Sequence, residues 1–286
     1  MKAKMEIIKA KEIGFCYGVC RAINMLEKAA KQYGSLETLG PVVHNEQVIK
    51  KLDKMGIHVI KSIEDVSQPV VAISSHGISS VDYELLRSKT SKVIDTTCPF
   101  VSRAQIAARR LAEAGFFVII FGEAGHPEVK GILGYAKNQG LATLNCADID
   151  KLKNLPRRLG ILSQTTQIPE NFIAFVKNIL DSTFQRDYEI RILDTICHDI
   201  RRRQLLSLEL ASKVDLMLVI GGKSSANTRR LFELCSKNTE THMIETASEI
   251  DPIWLKGKST VGVTGGTSTA DISIQEVTDR LEALSK

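Results

Sequence analysis

The chain is poor in aromatic residues, which make up 5% of its 286 residues with a single tryptophan, Trp254. Its basic pairs (Arg109-Arg110, Arg157-Arg158, Arg229-Arg230) and the run Arg201-Arg202-Arg203 are scattered and carry no interleaved aromatics. The stacking and charged stripe of a nucleic-acid binder are therefore absent, and no nucleic-acid partner is expected. Long apolar runs are missing as well. Phe116–Phe121 suits a buried strand and is far too short to span a bilayer, so no membrane association is expected. Lysines at positions 2, 4, 9 and 11 interrupt the stretch where a signal peptide needs an apolar core, so no leader is expected and the chain reads as cytoplasmic. Glycine and proline are not in excess, which argues against disordered and fibrous classes. The net charge of +5 favours an anionic partner only weakly.

What is present is six cysteines. In a reducing compartment they are core residues, redox thiols or metal ligands rather than a disulfide framework. Three of them mark an internal repeat. The strings GFCYGVCRAI, TTCPFVSRAQ and TICHDIRRRQ align on Cys16, Cys98 and Cys197. Three residues on stand Val19, Val101 and Ile200, and five residues on stand Arg21, Arg103 and Arg202. At an offset of 24 stand Gly40, Gly122 and Gly221, and at 28 stand His44, His126 and Ser225. Each third then closes with an apolar run ending in small and polar residues: VVAISSHGIS with His76, LGILSQTTQ with Thr165, VGVTGGTST with Ser268. One unit used three times is the direct reading.

Short β-rich runs alternate with amphipathic stretches, the pattern of parallel βαβ units. VVAISSHG, FFVIIFG, RRLGILSQ, EIRILDT, LMLVIGG and STVGVTGG read as strands. AINMLEKAAKQYG, AQIAARRLAEAG, IPENFIAFVKNILD and ADISIQEVTDRLEALS read as helices, the first two with a glycine placed for a C-cap. The expected fold is α/β: a trefoil of three pseudo-threefold-related lobes with mainly parallel sheets around a central cavity. The lobes are expected at residues 14–96, 97–195 and 196–286 with 1–13. The polar anchors follow apolar runs and precede helices, which places them at the carboxyl edges of the strands, where α/β sheets bind ligands.

Three cysteines, one per lobe, leave one coordination position open on a metal centre, the mark of a catalytic site. A four-iron cluster and a single zinc both satisfy that count. Separations of 82 and 99 residues match no compact zinc-finger or ferredoxin spacing. Cys20, Cys146 and Cys235 have no repeat counterparts and read as structural thiols, Cys20 as a small helix residue packed inward. His198, His58 and His242 read as ordinary.

The motifs GFCYGVCRAI, GPVVHNEQV, SSHGIS, DTTCPFV, GHPEVKG, SQTT, DTIC followed by RQ, GGKSSAN and GVTGGTS occur in this order along the chain. In these the chain resembles, over its whole length, the LytB (IspH) family of 4-hydroxy-3-methylbut-2-enyl diphosphate reductases. The resemblance implies a trefoil fold and a [4Fe–4S] cluster, one per chain, on Cys16, Cys98 and Cys197. It implies that His44, His76 and His126 line a cavity for an allylic diphosphate. Glu128 would deliver protons, Thr165 would contact that relay and the substrate hydroxyl, and Ser225, Asn227 and Ser268 would bind the diphosphate. It implies removal of the C4 hydroxyl to give isopentenyl and dimethylallyl diphosphate, the last step of the non-mevalonate pathway. The electron donor would be a ferredoxin or flavodoxin. Ala226 departs from the serine common in the family, which leaves it outside the binding set, and HDIRRRQ after Cys197 departs as well.

The residues suit that chemistry. Hydroxide leaves poorly, so a Lewis acid and a proton source are needed. A carboxyl at Glu128 in a closed cavity is expected to have a raised pKa. Pro127 and Glu128 equally fit a helix start, and the two readings are compatible. Serines and asparagine at loop-to-helix junctions suit a dense anion. A zinc hydrolase using the same thiolates, and an iron–sulfur sensor or repeat scaffold without enzymatic activity, are the rival readings. The first lacks a deaminase-like H-x-E with C-x-x-C, and the second leaves Glu128 and Thr165 without a role.

Overall fold

The computed structural model describes residues 5–43, 45–151, 155–183 and 187–285, the side chain of Asp150 excepted. His44 lies outside the described residues. Among the described residues twelve strands form three parallel four-stranded sheets. The first sheet runs β3(Ile57–Ile60), β2(Leu36–Leu39), β4(Val70–Ile73), β5(Lys92–Asp95). The second runs β7(Gly140–Thr143), β6(Phe117–Phe121), β8(Arg158–Ser163), β9(Glu189–Leu193). The third runs β11(Glu240–Ile244), β10(Leu216–Ile220), β12(Thr260–Gly265), β1(Glu6–Lys9). Each sheet has the same order, with its third element beside its first and its fourth outermost. In the third sheet the outermost place is filled by the start of the chain, Glu6 to Lys9 pairing with Thr260 to Val263.

The helices that connect these strands are α1(Tyr17–Tyr33), α2(Glu46–Asp53), α3(Ser80–Lys89), α4(Pro99–Glu113), α5(Pro127–Tyr135), α6(Ala147–Asp150), α7(Pro169–Thr183), α8(His198–Ala211), α9(Ala226–Cys235) and α10(Asp271–Leu284). The four helices read from the sequence are α1, α4, α7 and α10. Gly34 and Gly115 take positive φ of 80° just past α1 and α4, as C-capping glycines do. Among the described residues no helix is long and apolar enough to cross a membrane.

By its contacts the chain divides into two compact units. One comprises Met1–Cys20, Val43–Lys50 and His198–Lys286 and contains the third sheet; the other comprises Arg21–Val42 and Lys51–Cys197 and contains the first and second.

Strand periodicity builds the cores. In β10 every residue is fully buried, and alternate side chains point to opposite faces. Leu216, Leu218 and Ile220 pack with Ile274, Val277 and Leu281 of α10. Met217 and Val219 pack with Leu210, Ala211, Leu231 and Cys235 of α8 and α9. The second sheet does the same with Val118 and Ile120, which meet Ala104, Ala108, Val129 and Ile132. Truncating one such leucine to alanine costs about 2–5 kcal/mol.

Each sheet has its topological switch between its first and third strands, where connections leave to opposite sides. Ligands bind outside the carboxyl ends at such a point. The loops after β2 and β4, after β6 and β8, and after β10 and β12 therefore form the binding edges.

Candidate active site

The backbone repeats the same hydrogen bonds at all three edges. The amides of Gly40, Gly122 and Gly221 donate to Ile60, Thr143 and Ile244 at 2.9, 3.1 and 2.9 Å. The amides of Cys98, Cys197 and Cys16 donate to the carbonyls of Ser75, Thr165 and Thr267 at 3.0, 2.9 and 3.1 Å. Every repeat cysteine therefore stands after an outermost strand, before a helix, with its amide tied to the loop after the neighbouring third strand. These ties also correct the repeat. Ile73, Ser163 and Gly265 hold equivalent register positions opposite Leu39, Phe121 and Ile220. Thr165 thus corresponds to Ser75 and Thr267, and His76 and Ser268 correspond to Thr166. The grouping of His76 with Thr165 and Ser268 is out by one residue, because sequence ends of apolar runs do not record sheet register.

In the unit that carries the first two sheets, Glu128 is 2% exposed in the first turn of α5. Both its carboxylate oxygens are used: Thr165 N–H donates to Oε1 at 2.6 Å and Thr165 Oγ–H donates to Oε2 at 2.9 Å. The Thr165 carbonyl in turn accepts from Cys197 N–H. One continuous chain of hydrogen bonds links the acid, the hydroxyl and a repeat cysteine. His126 caps α5, its Nδ1 accepting from Glu128 N–H at 3.2 Å, with Pro127 in the first turn. In the neutral imidazole this bond assigns the proton to Nε2, which leaves that nitrogen as a donor. The His76 ring stands edge-on to His126, with centroids 5.5 Å apart. Capping and a site role thus fall on the same residues.

In the other unit Ser225 caps α9, accepting from Thr228 N–H at 3.4 Å. Ala226, Asn227, Thr228 and Ser268 are buried beside it in sequence or on the neighbouring loop. Asn227 Nδ2 and Oδ1, Thr228 Oγ1 and Ser268 Oγ are buried side-chain atoms without a hydrogen-bond partner. Buried polar atoms are ordinarily paired, so a cluster of orphans needs an explanation. The space around them is held open by glycines. A Cβ on Gly266 would fall 2.3 Å from Thr228 Oγ1, and one on Gly221 would fall 2.6 Å from the same atom. The arrangement is a cradle of donors at the start of a helix, suited to an anion.

Thr228 was not foreseen, although it continues the small polar run SSAN. Asn45 and Gln47 were also missed. Asn45 caps α2 through Val48 N–H and donates from Nδ2 to the Ser268 carbonyl at 3.0 Å, while Gln47 accepts from Ser273 Oγ at 2.8 Å. Their signal was their place on either side of Glu46 in the GPVVHNEQV motif.

None of the six cysteines is joined in a disulfide. Burial pushes the Cys16 thiol up, opposed by the backbone N–H of Val19 and by the Arg203 charge. Burial pushes Cys235 up to about 12, which suits a core residue, and its Sγ lies 3.8 Å from the Ser207 carbonyl. Cys146 is half-buried, with Sγ 3.6 Å from the Phe175 carbonyl. Cys20 is exposed rather than packed inward, because the first turns of α1 bury Val19, Ala22 and Ile23 instead. His198 is exposed at the start of α8. His58 bonds Asp53 at 2.7 Å, and His242 stacks on Trp254 with ring centroids 3.8 Å apart.

Among the described residues no group of three or more His, Cys, Asp or Glu side chains is gathered to hold a metal ion. Cys98 and Cys197 belong to one unit and Cys16 to the other. The donor set itself fits an iron–sulfur cluster: three thiols at equivalent positions, each with its backbone fixed, and Cys98 Sγ not spent on capping its helix.

Fold and site together define an α/β protein with thiols, a hydrogen-bonded buried acid and a cluster of unpartnered buried polar atoms at the carboxyl edges of its sheets. The family model described as LytB protein matches residues 7–282. A 4-hydroxy-3-methylbut-2-enyl diphosphate reductase of Dehalococcoides mccartyi is 56% identical, covering 98% of this chain and 99% of its own. One of Pelobacter propionicus is 42% identical, covering 99% of each. A solved (E)-4-hydroxy-3-methyl-but-2-enyl diphosphate reductase, described as the terminal enzyme of the non-mevalonate pathway, is 38% identical. It superposes with a TM-score of 0.71 over 98% of this chain and 99% of its own. The solved E-1-hydroxy-2-methyl-but-2-enyl-4-diphosphate reductase of Plasmodium falciparum is 28% identical, with a TM-score of 0.90 over 96% and 87%. The chain belongs to the LytB protein family.

Proposed function

We infer that this chain reduces 4-hydroxy-3-methylbut-2-enyl diphosphate to isopentenyl and dimethylallyl diphosphate, the last step of the non-mevalonate pathway. The observation that carries the reading to individual residues is the Glu128–Thr165–Cys197 chain of hydrogen bonds. The C4 hydroxyl leaves as water while the allylic carbon skeleton takes up a pair of electrons and a proton; a second proton goes into the water.

Cys16, Cys98 and Cys197 would hold a [4Fe–4S] cluster, one per chain. When bound, the cluster supplies the electrons and an open Lewis-acidic position. The chain's own residues do the rest. Ser225, Asn227 and Ser268 bind the diphosphate, and the buried atoms orphaned on Asn227 and Ser268 support that placement. Thr165 would contact the substrate hydroxyl. The Thr165 hydroxyl donates to Glu128 Oε2 in the ligand-free protein; with Glu128 protonated the bond reverses, the carboxyl donating to Thr165 Oγ while the Thr165 O–H turns to give its proton to the leaving oxygen. His126 offers Nε2–H, and His76 stands edge-on to it, so both would face the substrate; His44 is assigned to substrate binding by its motif alone.

The three sheets belong to lobes at 14–96, 97–195 and 196–286 with 1–13. The electron donor is a ferredoxin or flavodoxin, and the protein works in the cytoplasm.

The test is anaerobic purification with iron and sulfide analysis and a visible spectrum, followed by titration with the allylic diphosphate. About four irons per chain and a spectral response to substrate are expected. A colourless protein holding zinc would falsify the cluster assignment and turn attention to a hydrolase.

A further inference from the structure

The arginine that follows each repeat cysteine by five residues has no part in the chemistry above. Its contacts give it another. Arg21 donates from Nη1 to the carbonyls of Thr97 and Thr96 at 3.1 and 3.4 Å. Those residues lead directly into Cys98. Arg103 donates from Nη2 to the carbonyl of Asp194 at 3.1 Å, three residues before Cys197. Arg202 pairs through Nε with Glu12 at 2.6 Å, four residues before Cys16. Each arginine therefore reaches the segment entering the cysteine of the next repeat, and the third returns to the first. Arg21 and Arg103 also line one groove, together with Thr97, Asp194 and Thr195.

The segments they hold are already tightly placed. Thr96 Oγ1 donates to Ile73 O and Thr195 Oγ1 to Ser163 O, each at 2.5 Å. Thr97 N–H and Ile196 N–H donate to the carboxylates of Asp95 and Asp194 at 2.9 and 3.1 Å. For Arg21 and Arg103 a guanidinium on these carbonyls completes the cage, because a planar, charged donor fixes an oxygen in direction as well as distance.

We propose that Arg21, Arg103 and Arg202 are positioning residues: a cyclic set of clasps in which each repeat sets the cysteine loop of the next. A loss in one repeat is then felt at the ligand of its successor and not at its own cysteine. The functional meaning of the clasps rests on the cluster assignment; their existence does not.

Hydrogen exchange on the metal-free full-length protein tests them directly. Arg21→Gln is expected to speed exchange of the amides of residues 95–98 and to leave 194–197 unchanged, and Arg103→Gln to do the reverse. Arg21→Lys, which keeps charge and one donor, restores part of the protection. Arg110→Gln, an exposed arginine on the same helix as Arg103 but off the repeat position, changes neither segment. In the iron-loaded protein, anaerobic iron release to a chelator rises about 10- to 100-fold for Arg21→Gln and Arg103→Gln, the usual scale for losing a partner that orients a ligand. Arg202 pairs at the surface, its side chain 73% exposed, so Arg202→Gln has a smaller effect that disappears at high salt. Exchange that rises evenly over the chain, or does not rise ahead of the next cysteine, overturns the proposal. An unmodified protein that holds no iron sinks the cluster assignment instead and leaves the exchange result to judge the clasps.

Discussion

The edge of the second sheet and the edge of the third solve opposite problems. At the second, Glu128 is buried and both its oxygens are already bonded by Thr165. At the third, Asn227, Thr228 and Ser268 are buried with polar atoms left unmatched. A satisfied buried network is rigid and stabilising, whereas each orphaned buried group costs about 1–3 kcal/mol. On the proposed reading, the Glu128–Thr165 pair is assembled before substrate arrives, and the cradle would be completed by its ligand. An anion bound at the cradle would recover what folding left unmade, which fits, on that reading, a site whose task is affinity. An acid whose two oxygens are already bonded is held in place before binding, which on the same reading fits a site whose task is geometry in the transition state.

The largest expected effect comes from breaking the preassembled side. Glu128→Gln keeps the shape and removes the proton. It should lower kcat by about 10²- to 10⁴-fold with KM and iron content little changed; steady-state kinetics beside iron analysis check this, and unchanged kcat removes Glu128 from the mechanism.

Next in size is the loss of a donor from the cradle. Ser268→Ala or Asn227→Ala should raise KM for the diphosphate about 10- to 100-fold, since a hydrogen bond to a charged group contributes about 1.5–3 kcal/mol, with kcat nearly intact. An equal fall in kcat with KM unchanged would place these residues with the acid instead.

The smallest effect is the most pointed. In the ligand-free protein Thr165→Val should destabilise by about 1–3 kcal/mol, because it removes a hydrogen bond to a buried carboxylate. Thr228→Val deletes an orphaned hydroxyl and should be neutral or stabilising by up to about 1 kcal/mol. Thermal unfolding of the two variants side by side distinguishes them; equal losses would erase the difference between the two edges.

Much of the fold is legible without coordinates. The inner strands β4, β6, β8, β10 and β12 announce themselves as apolar runs, and α1, α4, α7 and α10 by their amphipathic spacing. The missed strands are short and mixed. β1 and β5 are outermost strands with exposed ends. β2 is central yet carries Glu37 and Thr38 inside LETL. Burial pushes the Glu37 carboxyl up, but the Ser67 hydroxyl and the backbone N–H groups of Ser67 and Gln68 hold it below the usual range overall. That local cage, made by residues about 30 positions away, lets a charge sit in a strand that composition alone rejects.

The same division runs through the site. The sequence by itself determined the threefold spacing, the three cysteine positions, the helix-start character of His126 and Ser225, and the family, because these are recorded in local order and residue type. Only the tertiary structure decided that Thr165 pairs with Glu128 and ties to Cys197, and that the repeat's true register is Ser75, Thr165 and Thr267. It alone decided that Arg21 serves Cys98 rather than Cys16. Those pairings join residues 37, 32 and 76 positions apart, and no local periodicity encodes them. They are fixed when parallel strands align in register and carry distant loops to a common edge, a choice made by the whole sheet and not by any segment of it.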